Sequence, residues 1–269
     1  MSSEAQAKLA PRLIRGVNYI GLYTLIKREV GRFTNVYMQT LVAPVVTTLL
    51  FYTVFALAFG GVTRQVGDVP FLAFLAPGLI MMTMVQNAFA NTSSSLVIAK
   101  VQGNIVDILM PPLSEGELMF GYIIGGVLRG VLVGLVTGIV MNFFVPLAVS
   151  SWLTIIVFAM LGNVMLAALG TAAGIWSDKF DHMSAVTNFI ITPLTFLSGT
   201  FYSIESLPEA WRVIAHYNPF FYMIDGFRSG FIGQADGSFV VGLIMLSAVN
   251  IFLLVLIFFM LRSGYKMKS

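Results

Sequence analysis

Six long apolar stretches constrain this chain more than any other feature of its sequence. Each approaches or exceeds the roughly 20 residues that an α-helix needs to cross a bilayer. They cover residues 33–59, 70–90, 118–144, 152–176, 183–202 and 239–261. Charged residues make up 10% of the chain, where soluble domains carry about 25%. The sequence therefore predicts an all-α integral membrane protein, a single transmembrane domain over 1–269 with a six-helix transmembrane bundle at 33–261.

Lysine and arginine residues outside the spans are divided unequally between the two sides. Eleven of the 15 lie in the segment 1–32, in the loops after spans two and four, or in the tail 262–269, and three lie on the other side. The positive-inside rule then predicts that both termini are cytoplasmic. This distribution orients a membrane protein and is not a basic face for nucleic acid, so no nucleic-acid partner is expected.

The segment before the first span has the pattern of an amphipathic helix. Apolar residues recur at helical spacing through 18–32, while Lys27, Arg28 and Glu29 lie elsewhere on the helical wheel. Such a helix is expected to lie in the cytoplasmic membrane interface. The alternative is a plain helical extension of span one.

A short helix is predicted in the loop between spans two and three. Three apolar residues fall at i, i+3 and i+4, namely Ile105, Ile108 and Leu109. Pro111 and Pro112 end this helix, and Ser114 with Glu117 has the spacing of a capping box that begins span three. An apolar face on a cytoplasmic loop indicates a protein partner, although an ordinary loop remains the alternative.

About 35 residues between spans five and six are rich in aromatic side chains. Pro208 and the pair Asn218-Pro219 divide them into short helical pieces. Broken helices at membrane depth must be buried against protein or line a cavity. The pattern predicts an external re-entrant helical hairpin, and the alternative is an interfacial aromatic belt.

Span three contains a row of glycines and one charge. Glycine recurs every four residues at 126, 130, 134 and 138, which predicts close helix packing. Arg129 lies between them, and no Asp or Glu within a span can neutralise it. We therefore expect Arg129 to face the bundle interior, where Asn87, Asn163 or Asn188 could accept its hydrogen bonds.

The sequence lacks the groups that several chemistries need. There is no cysteine, and no Gly-Lys pair of the kind that ends a Walker motif. Intramembrane enzymes concentrate acids or histidines inside their spans, whereas these spans hold essentially one charge. The chain is therefore expected to move a substrate rather than to transform it.

Two regions of the chain resemble the ABC type 2 permeases, the membrane subunits of ATP-binding-cassette exporters for drugs, nodulation factors and polysaccharides. The first is residues 107–114 followed by Glu117. The second comprises Pro193, residues 196–202, Leu207-Pro208, residues 218–220, Asp225 and Arg228. Order, spacing and position relative to the spans all agree.

This resemblance implies a half-transporter in the inner membrane. Two copies would form a pathway for an amphiphilic, drug-like, lipid-linked or glycan substrate. Two copies of a separate ATPase subunit would hold ATP and magnesium, so this chain would bind no cofactor. Membrane lipid is a further expected contact.

The resemblance also implies roles for particular residues. Contact with the ATPase is assigned to Lys100, Gly103, Asp107, Ile108, Leu109, Pro111 and Pro112. The helix containing Lys27, Arg28 and Glu29 supplies a second contact. The external hairpin or gate comprises Pro193, Gly199, Phe201, Tyr202, Pro208, Pro219, Asp225 and Arg228.

Two other function classes stay open at the level of the sequence. One is a membrane-embedded enzyme acting on lipid-linked intermediates, which would need specific acids or histidines. The other is a stand-alone secondary transporter or channel, which would respond to an ion gradient and ignore ATP.

Overall fold

A computed structural model describes residues 16–59, 65–67 and 69–267. Five of the basic residues used to predict the orientation lie outside these ranges: Lys8, Arg12, Arg15, Arg64 and Lys268. The same is true of the first 15 residues of the predicted cytoplasmic N-terminus.

The described chain is almost entirely helical. The helices are α1 (Tyr19–Thr34), α2 (Ala43–Phe59), α3 (Phe71–Val101), α4 (Ile105–Leu109), α5 (Glu115–Met141), α6 (Trp152–Trp176), α7 (Phe180–Val186), α8 (Thr192–Phe196), α9 (Glu209–His216), α10 (Pro219–Ile232) and α11 (Phe239–Ser263). π-Helical turns at Met38–Val42 and Thr187–Ile191 lead into α2 and join α7 to α8, and a 3₁₀ turn covers Ile204–Ser206. One antiparallel pair of two-residue strands, β1 (Gln65–Val66) and β2 (Val69–Pro70), precedes α3, with Val66 opposite Val69.

Five helices in the described part of the chain are long and apolar enough to cross a membrane. They are Met38–Phe59, Phe71–Val101, Glu115–Met141, Trp152–Trp176 and Phe239–Ser263. The fourth has the predicted bounds, whereas the first begins later than predicted because α1 ends at Thr34 and a turn separates the two helices. These observations support a multi-pass helical membrane protein.

The stretch predicted as span five, 183–202, is helical only in part. A continuous helical segment runs from Phe180 through the π turn to Phe196, and the prediction of a helix up to residue 202 is wrong. The chain turns at Leu197–Thr200, where Gly199 has a φ of 71°. This left-handed conformation favours glycine, and it lies in the turn that follows the helix.

Helix α3 is the centre of the bundle, between α5 and α6. Gly126 on α5 approaches it so closely that an added Cβ would lie 2.7 Å from Thr92 Cγ2 and 3.0 Å from the Ala88 carbonyl oxygen. Gly130 and Gly134 make similar contacts with Met84. Small residues that let backbones approach are the usual device for packing helices in lipid, so the glycine row packs helices within one chain, as predicted.

The two ends of the bundle differ in composition. The basic end, as we call it, contains α4 and the start of α5, and there Lys266 contacts the end of α6. At the opposite end, called the hairpin end, α10 runs antiparallel to the first turns of α6. Gly226 packs on Phe158 and Gly230 on Ile155. The helical pieces predicted after Pro208 and Asn218 are thereby confirmed as α9 and α10.

Helix α1 packs against the bundle with one face, and the apolar stripe predicted for the membrane interface is not that face. Its buried residues are Leu25, Glu29 and Phe33, whereas Tyr19 and Tyr23 are exposed. Gly121 and Gly125 on α5 receive Leu25 and Glu29. Glu29, which the helical wheel places off the apolar stripe, is fully buried, because its carboxylate forms ion pairs and a hydrogen bond inside the protein.

Candidate functional site

Helix α3 has a row of buried polar side chains spaced four residues apart. This α3 polar row is Thr83, Asn87, Asn91 and Ser95. Residues four apart lie on one side of a helix, and polar groups at membrane depth must find partners inside the protein. Each member of the row bonds to a side chain on another helix, so the row links α3 to α1, α2 and α5.

At its basic end the row contacts charged residues of α1. Ser95 donates to Glu29 Oε1 at 2.7 Å, and Arg32 donates to Asn91 Oδ1 at 3.0 Å. Arg28 and Arg32 lie 3.1 and 3.5 Å from the Glu29 carboxylate. Burial lowers the pKa of the Arg32 guanidinium from its ordinary value, and the charge of Glu29 opposes this effect. This network explains why Glu29 is fully buried.

The middle of the row holds the predicted intramembrane charge. Arg129 donates to Asn87 Oδ1 at 2.9 Å, so it faces the bundle interior and uses one of the three predicted acceptors. Asn163 instead donates to the Ala159 carbonyl oxygen, and Asn188 is exposed on the π turn after α7. The far end of the row pairs Thr83 with Thr48 of α2 at 2.6 Å.

A cleft of about 300 Å³ opens between α2 and α3 beside the row. Its polar lining residues are Gln39, Thr47, Thr48, Thr83, Gln86 and Asn87. Apolar side chains, including Phe51, Leu79 and Met82, line the rest. The cleft therefore offers uncharged hydrogen-bonding groups beside an apolar surface, next to the only intramembrane charge that the sequence analysis singled out.

The predicted loop helix is confirmed as α4, but its exposed face differs from the prediction. Ile105 and Ile108 are buried, so the expectation that they face a partner is wrong. The exposed apolar residues are Val106, Leu109 and Met110, which we call the α4 patch. The patch has the predicted i, i+3, i+4 spacing but begins one residue later in the sequence. The reason is that Ile105 and Ile108 of the short helix pack against the bundle of the same chain.

Other residues assigned to this contact have varied surroundings. Asp107, Pro111 and Pro112 are exposed, and Gly103 has a φ of 74°, which permits the turn from α3 into α4. Lys100 is only half-exposed, and its ammonium group donates to the carbonyl oxygens of Ile175 and Ser177 at the end of α6. Its contacts in this chain therefore join α3 to α6.

Glu117 connects the two elements predicted to meet the ATPase. The capping box is confirmed, since Ser114 Oγ accepts from the Glu117 amide and the Glu117 carboxylate accepts from Ser114. The same carboxylate accepts from the backbone amide of Asn18, whose side chain donates to the Pro112 carbonyl oxygen at 3.2 Å. The start of α1 is thereby bonded to the turn after α4.

Several residues assigned to the gate meet at the hairpin end. Arg228 is buried, donates to the Gly199 carbonyl oxygen at 2.6 Å and lies 3.7 Å from the centre of the Phe74 ring. Asp225 accepts from the backbone amides of Asp236 and Gly237 at 3.1 and 2.9 Å. These contacts hold the turn after α8 and the loop after α10 against the bundle.

The remaining gate residues have separate positions. Phe201 stacks on Phe55 of α2 with ring centres 4.8 Å apart, and Tyr202 donates to the Phe196 carbonyl oxygen at 3.1 Å. Pro208 is the N-cap residue of α9, Pro219 is the first residue of α10, and Pro193 is exposed near the start of α8. The structure thus joins Gly199 to Arg228 but leaves Pro193 apart from them.

Sequence reasoning missed the α3 polar row and the second role of Glu117. A signal for the row was present, because polar residues recur every four positions from Thr83 to Ser95 in an otherwise apolar helix. The contact between Glu117 and Asn18 joins residues 99 positions apart. No local pattern could have indicated that contact.

The fold and these sites define a multi-pass helical membrane protein with a polar interior and an exposed loop helix. The sequence pattern of the ABC-2 type transporter family matches residues 21–232, and the chain belongs to that family. It is therefore a transport permease, the membrane subunit of an ABC transporter, and not itself an enzyme. Members of this family work with a separate ATPase subunit.

Named relatives agree with this assignment. The inner membrane transport permease YadH of Escherichia coli K12 is 38% identical over 218 residues, which cover 81% of this chain and 85% of the relative. Nodulation protein J of Rhizobium leguminosarum bv. viciae is 25% identical over 181 residues, covering 65% and 68% of the two chains. The inner membrane location and the function as exporter permease are consistent with these names.

Glu117→Ala is expected to destabilise the basic end, because it removes the helix cap and releases Asn18. Loss of a helix cap costs about 0.5–2 kcal/mol, and the lost bond to Asn18 adds to this. The measurement is thermal unfolding of the purified protein in detergent.

Glu115→Ala is the matched control, since Glu115 lies in the same turn and its side chain forms no hydrogen bond within the described part of the chain. Equal melting temperatures for the two variants would contradict the role assigned to Glu117.

Proposed function

We propose that two copies of this chain form the translocation pathway of an ABC exporter and are driven by two ATPase subunits that dock at the basic end. The observation that carries this proposal is the α4 patch, an exposed apolar surface on a loop helix that is bonded through Glu117 to α1. Isolated apolar patches of this kind are typical of protein-binding sites. ATP and magnesium belong to the partner subunit in this proposal, and this chain supplies no ligand for them.

A sixth span is proposed for the segment from Phe180 to Gly199. Its 17 helical residues extend about 25 Å at 1.5 Å per residue. It begins next to Asp178, whose carboxylate accepts a hydrogen bond of 2.6 Å from Lys266 at the basic end. It ends where Phe201 meets Phe55, near the hairpin end of α2. Six spans put the two termini on the same side, and the excess of basic residues favours the cytoplasm.

The α9–α10 pair is proposed as an external re-entrant hairpin. Met223 of α10 lies close to Gly162, which is ten residues into α6, whereas Gly230 lies beside its first turn. Helix α10 therefore runs from inside the bundle towards its hairpin end. The buried bond between Arg228 and Gly199 supports a role for this hairpin in closing the outer side of the pathway.

A second copy is proposed because one side of the bundle is poorly covered. Helix α2 exposes Val46, Leu50, Val54 and Leu57, and the segment after α7 exposes Phe189. In a single chain these side chains contact lipid, and in the proposed assembly part of this surface packs against the second copy. The cleft between α2 and α3 would then face the shared pathway.

Neither rival function has support from the described spans. Apart from Glu115 and Glu117 in the first turn of α5, the five spanning helices contain no acidic residue and no histidine, and the proposed sixth span has Asp181 and His182 only in its first turn. An enzyme acting on lipid-linked substrates would need such groups. A secondary carrier would operate without the ATPase that the family uses.

Accessibility of two single cysteines tests the topology, since the chain has no native cysteine. Gln102 and Gln234 are both exposed, one beside α4 and the other after α10. In intact cells an impermeant thiol reagent should label Gln234→Cys and should label Gln102→Cys only after permeabilisation. Labelling of Gln102→Cys from outside, or equal labelling of both, would contradict the proposed orientation.

Met110→Asp tests the docking surface, because it puts a charge at the most exposed position of the α4 patch. Residues at the centre of a protein interface contribute about 2 kcal/mol or more to the binding free energy. The ATPase should therefore bind the variant roughly 30-fold more weakly. Binding of the purified ATPase to the purified permease is the measurement. Transport-coupled ATP hydrolysis should fall with it.

Gln102→Asp is the control, since it adds the same charge in the same loop outside the patch. Full ATPase binding by Met110→Asp, or an equal loss in both variants, would contradict docking at the α4 patch.

A further inference from the structure

Two arginines of this bundle, the buried Arg228 and the half-buried Arg129, differ in how their charge is balanced. Arg228 interacts electrostatically with Asp225 and Asp236, which carry the opposite charge. Arg129 has no such partner: the charge that acts on it is that of Arg32, which has the same sign. The ion pairs of the described residues involve Arg28, Arg32 and Lys266 and do not include Arg129.

The hydrogen bonding of Arg129 is also incomplete. Its Nη2 donates to Asn87, while its buried Nε has no partner among the described residues. A guanidinium has five N–H donors in a planar fork that matches a phosphate or carboxylate. One neutral amide oxygen satisfies a small part of this capacity, so the side chain can accept an anion without losing an existing ion pair.

Arg129 lies near the middle of its span. It is 14 residues from Glu115 and 12 from Met141, or about 21 and 18 Å from the two ends at 1.5 Å per residue. Ionisable residues at this depth are expensive and mark functional pathways by default. Packing with Asn87 alone would not require a charge at this position, because a neutral side chain could make the same bond.

The cleft between α2 and α3 gives this charge a route to a ligand. Asn87, the acceptor of the Arg129 bond, is part of the cleft wall. Gln39, Thr47 and Gln86 supply further neutral hydrogen-bonding groups, and the other walls are apolar. The Asn87 side chain therefore separates the Arg129 guanidinium from the cleft. The mixed polar and apolar walls of the cleft suit a molecule with a polar head and an apolar body.

We propose that the cleft binds the anionic group of an amphiphile, and that a phosphate or carboxylate oxygen displaces the Asn87 carboxamide from Arg129. Resting on the proposed function, this assigns the exporter a class of substrate, anionic amphiphiles. Thr47, Gln39 and Gln86 hold the polar part of the head group, and Phe51 with Met82 contacts the apolar part. The anionic group can come from the substrate or from a lipid head group, and the chemistry at Arg129 is the same.

The test measures binding of dodecyl phosphate to the permease–ATPase complex in phosphatidylcholine nanodiscs without ATP. Dodecyl maltoside, which has a neutral head group, is the reference probe. Arg129→Gln should weaken dodecyl phosphate binding roughly tenfold or more, as expected for loss of a charge-assisted hydrogen bond. Arg129→Lys should retain part of the affinity, and maltoside binding should not change.

Arg262→Gln is the matched control, because it removes one exposed positive charge at the end of α11. It should bind dodecyl phosphate as the unmodified protein does. Unchanged dodecyl phosphate binding in Arg129→Gln would overturn the proposal, as would an equal loss in Arg262→Gln. Because binding is measured without ATP, a failure of coupling to the ATPase leaves this result unaffected.

Asn87→Ala keeps the proposal falsifiable if Arg129→Gln does not fold. In the proposal Asn87 competes with the ligand for Arg129, so its removal should tighten dodecyl phosphate binding several-fold. Unchanged or weaker binding would overturn the proposed displacement. Repeating the titration with phosphatidylglycerol in the nanodisc shows whether the anionic group comes from a lipid. If the lipid head group binds at this site, it competes with dodecyl phosphate and lowers its apparent affinity. If it does not, the affinity for dodecyl phosphate is unchanged.

Discussion

Hydrogen bonding of the polar row on α3 is the constraint on which the rest of this structure depends. Polar groups within a membrane have no water to bond with, so they must be satisfied inside the protein. Thr83, Asn87, Asn91 and Ser95 meet this requirement with partners on α2, α5 and α1. The positions of three helices relative to α3 are therefore fixed by specific bonds as well as by packing.

Close packing around α3 makes this row a stiff connection. Gly126 and Gly170 bring α5 and α6 against its backbone, near Thr92 and Phe89. Helices packed in this way move as rigid bodies rather than deforming locally. A change at the basic end, where Glu29 and Arg32 meet the row, would then shift α3 together with Asn87 and the cleft wall. This is a physical route by which ATP binding to a partner could open or close a site near mid-membrane.

Much of this architecture was predictable from local sequence patterns. Hydropathy identified the fourth span at its observed bounds, and residue spacing predicted α4 and the Ser114–Glu117 cap. The cost of a charge in lipid predicted the inward direction of Arg129, with Asn87 as one of three candidate acceptors. Patterns of this kind report helix length and periodicity, but not which neighbour covers a given face. The outward face of α4 and the burial of Glu29 depend on such neighbours, so the sequence alone did not indicate them.

The central claim is that the α4 patch meets an ATPase during transport, and site-specific photocross-linking tests it most directly. A photoreactive amino acid at position 110 in cells is predicted to form a covalent adduct that mass spectrometry identifies as an ATPase polypeptide with a Walker motif. The same amino acid at position 234, at the hairpin end, should form no such adduct. Cross-linking to the ATPase from position 234, or its absence from position 110 in an actively transporting complex, would contradict the account.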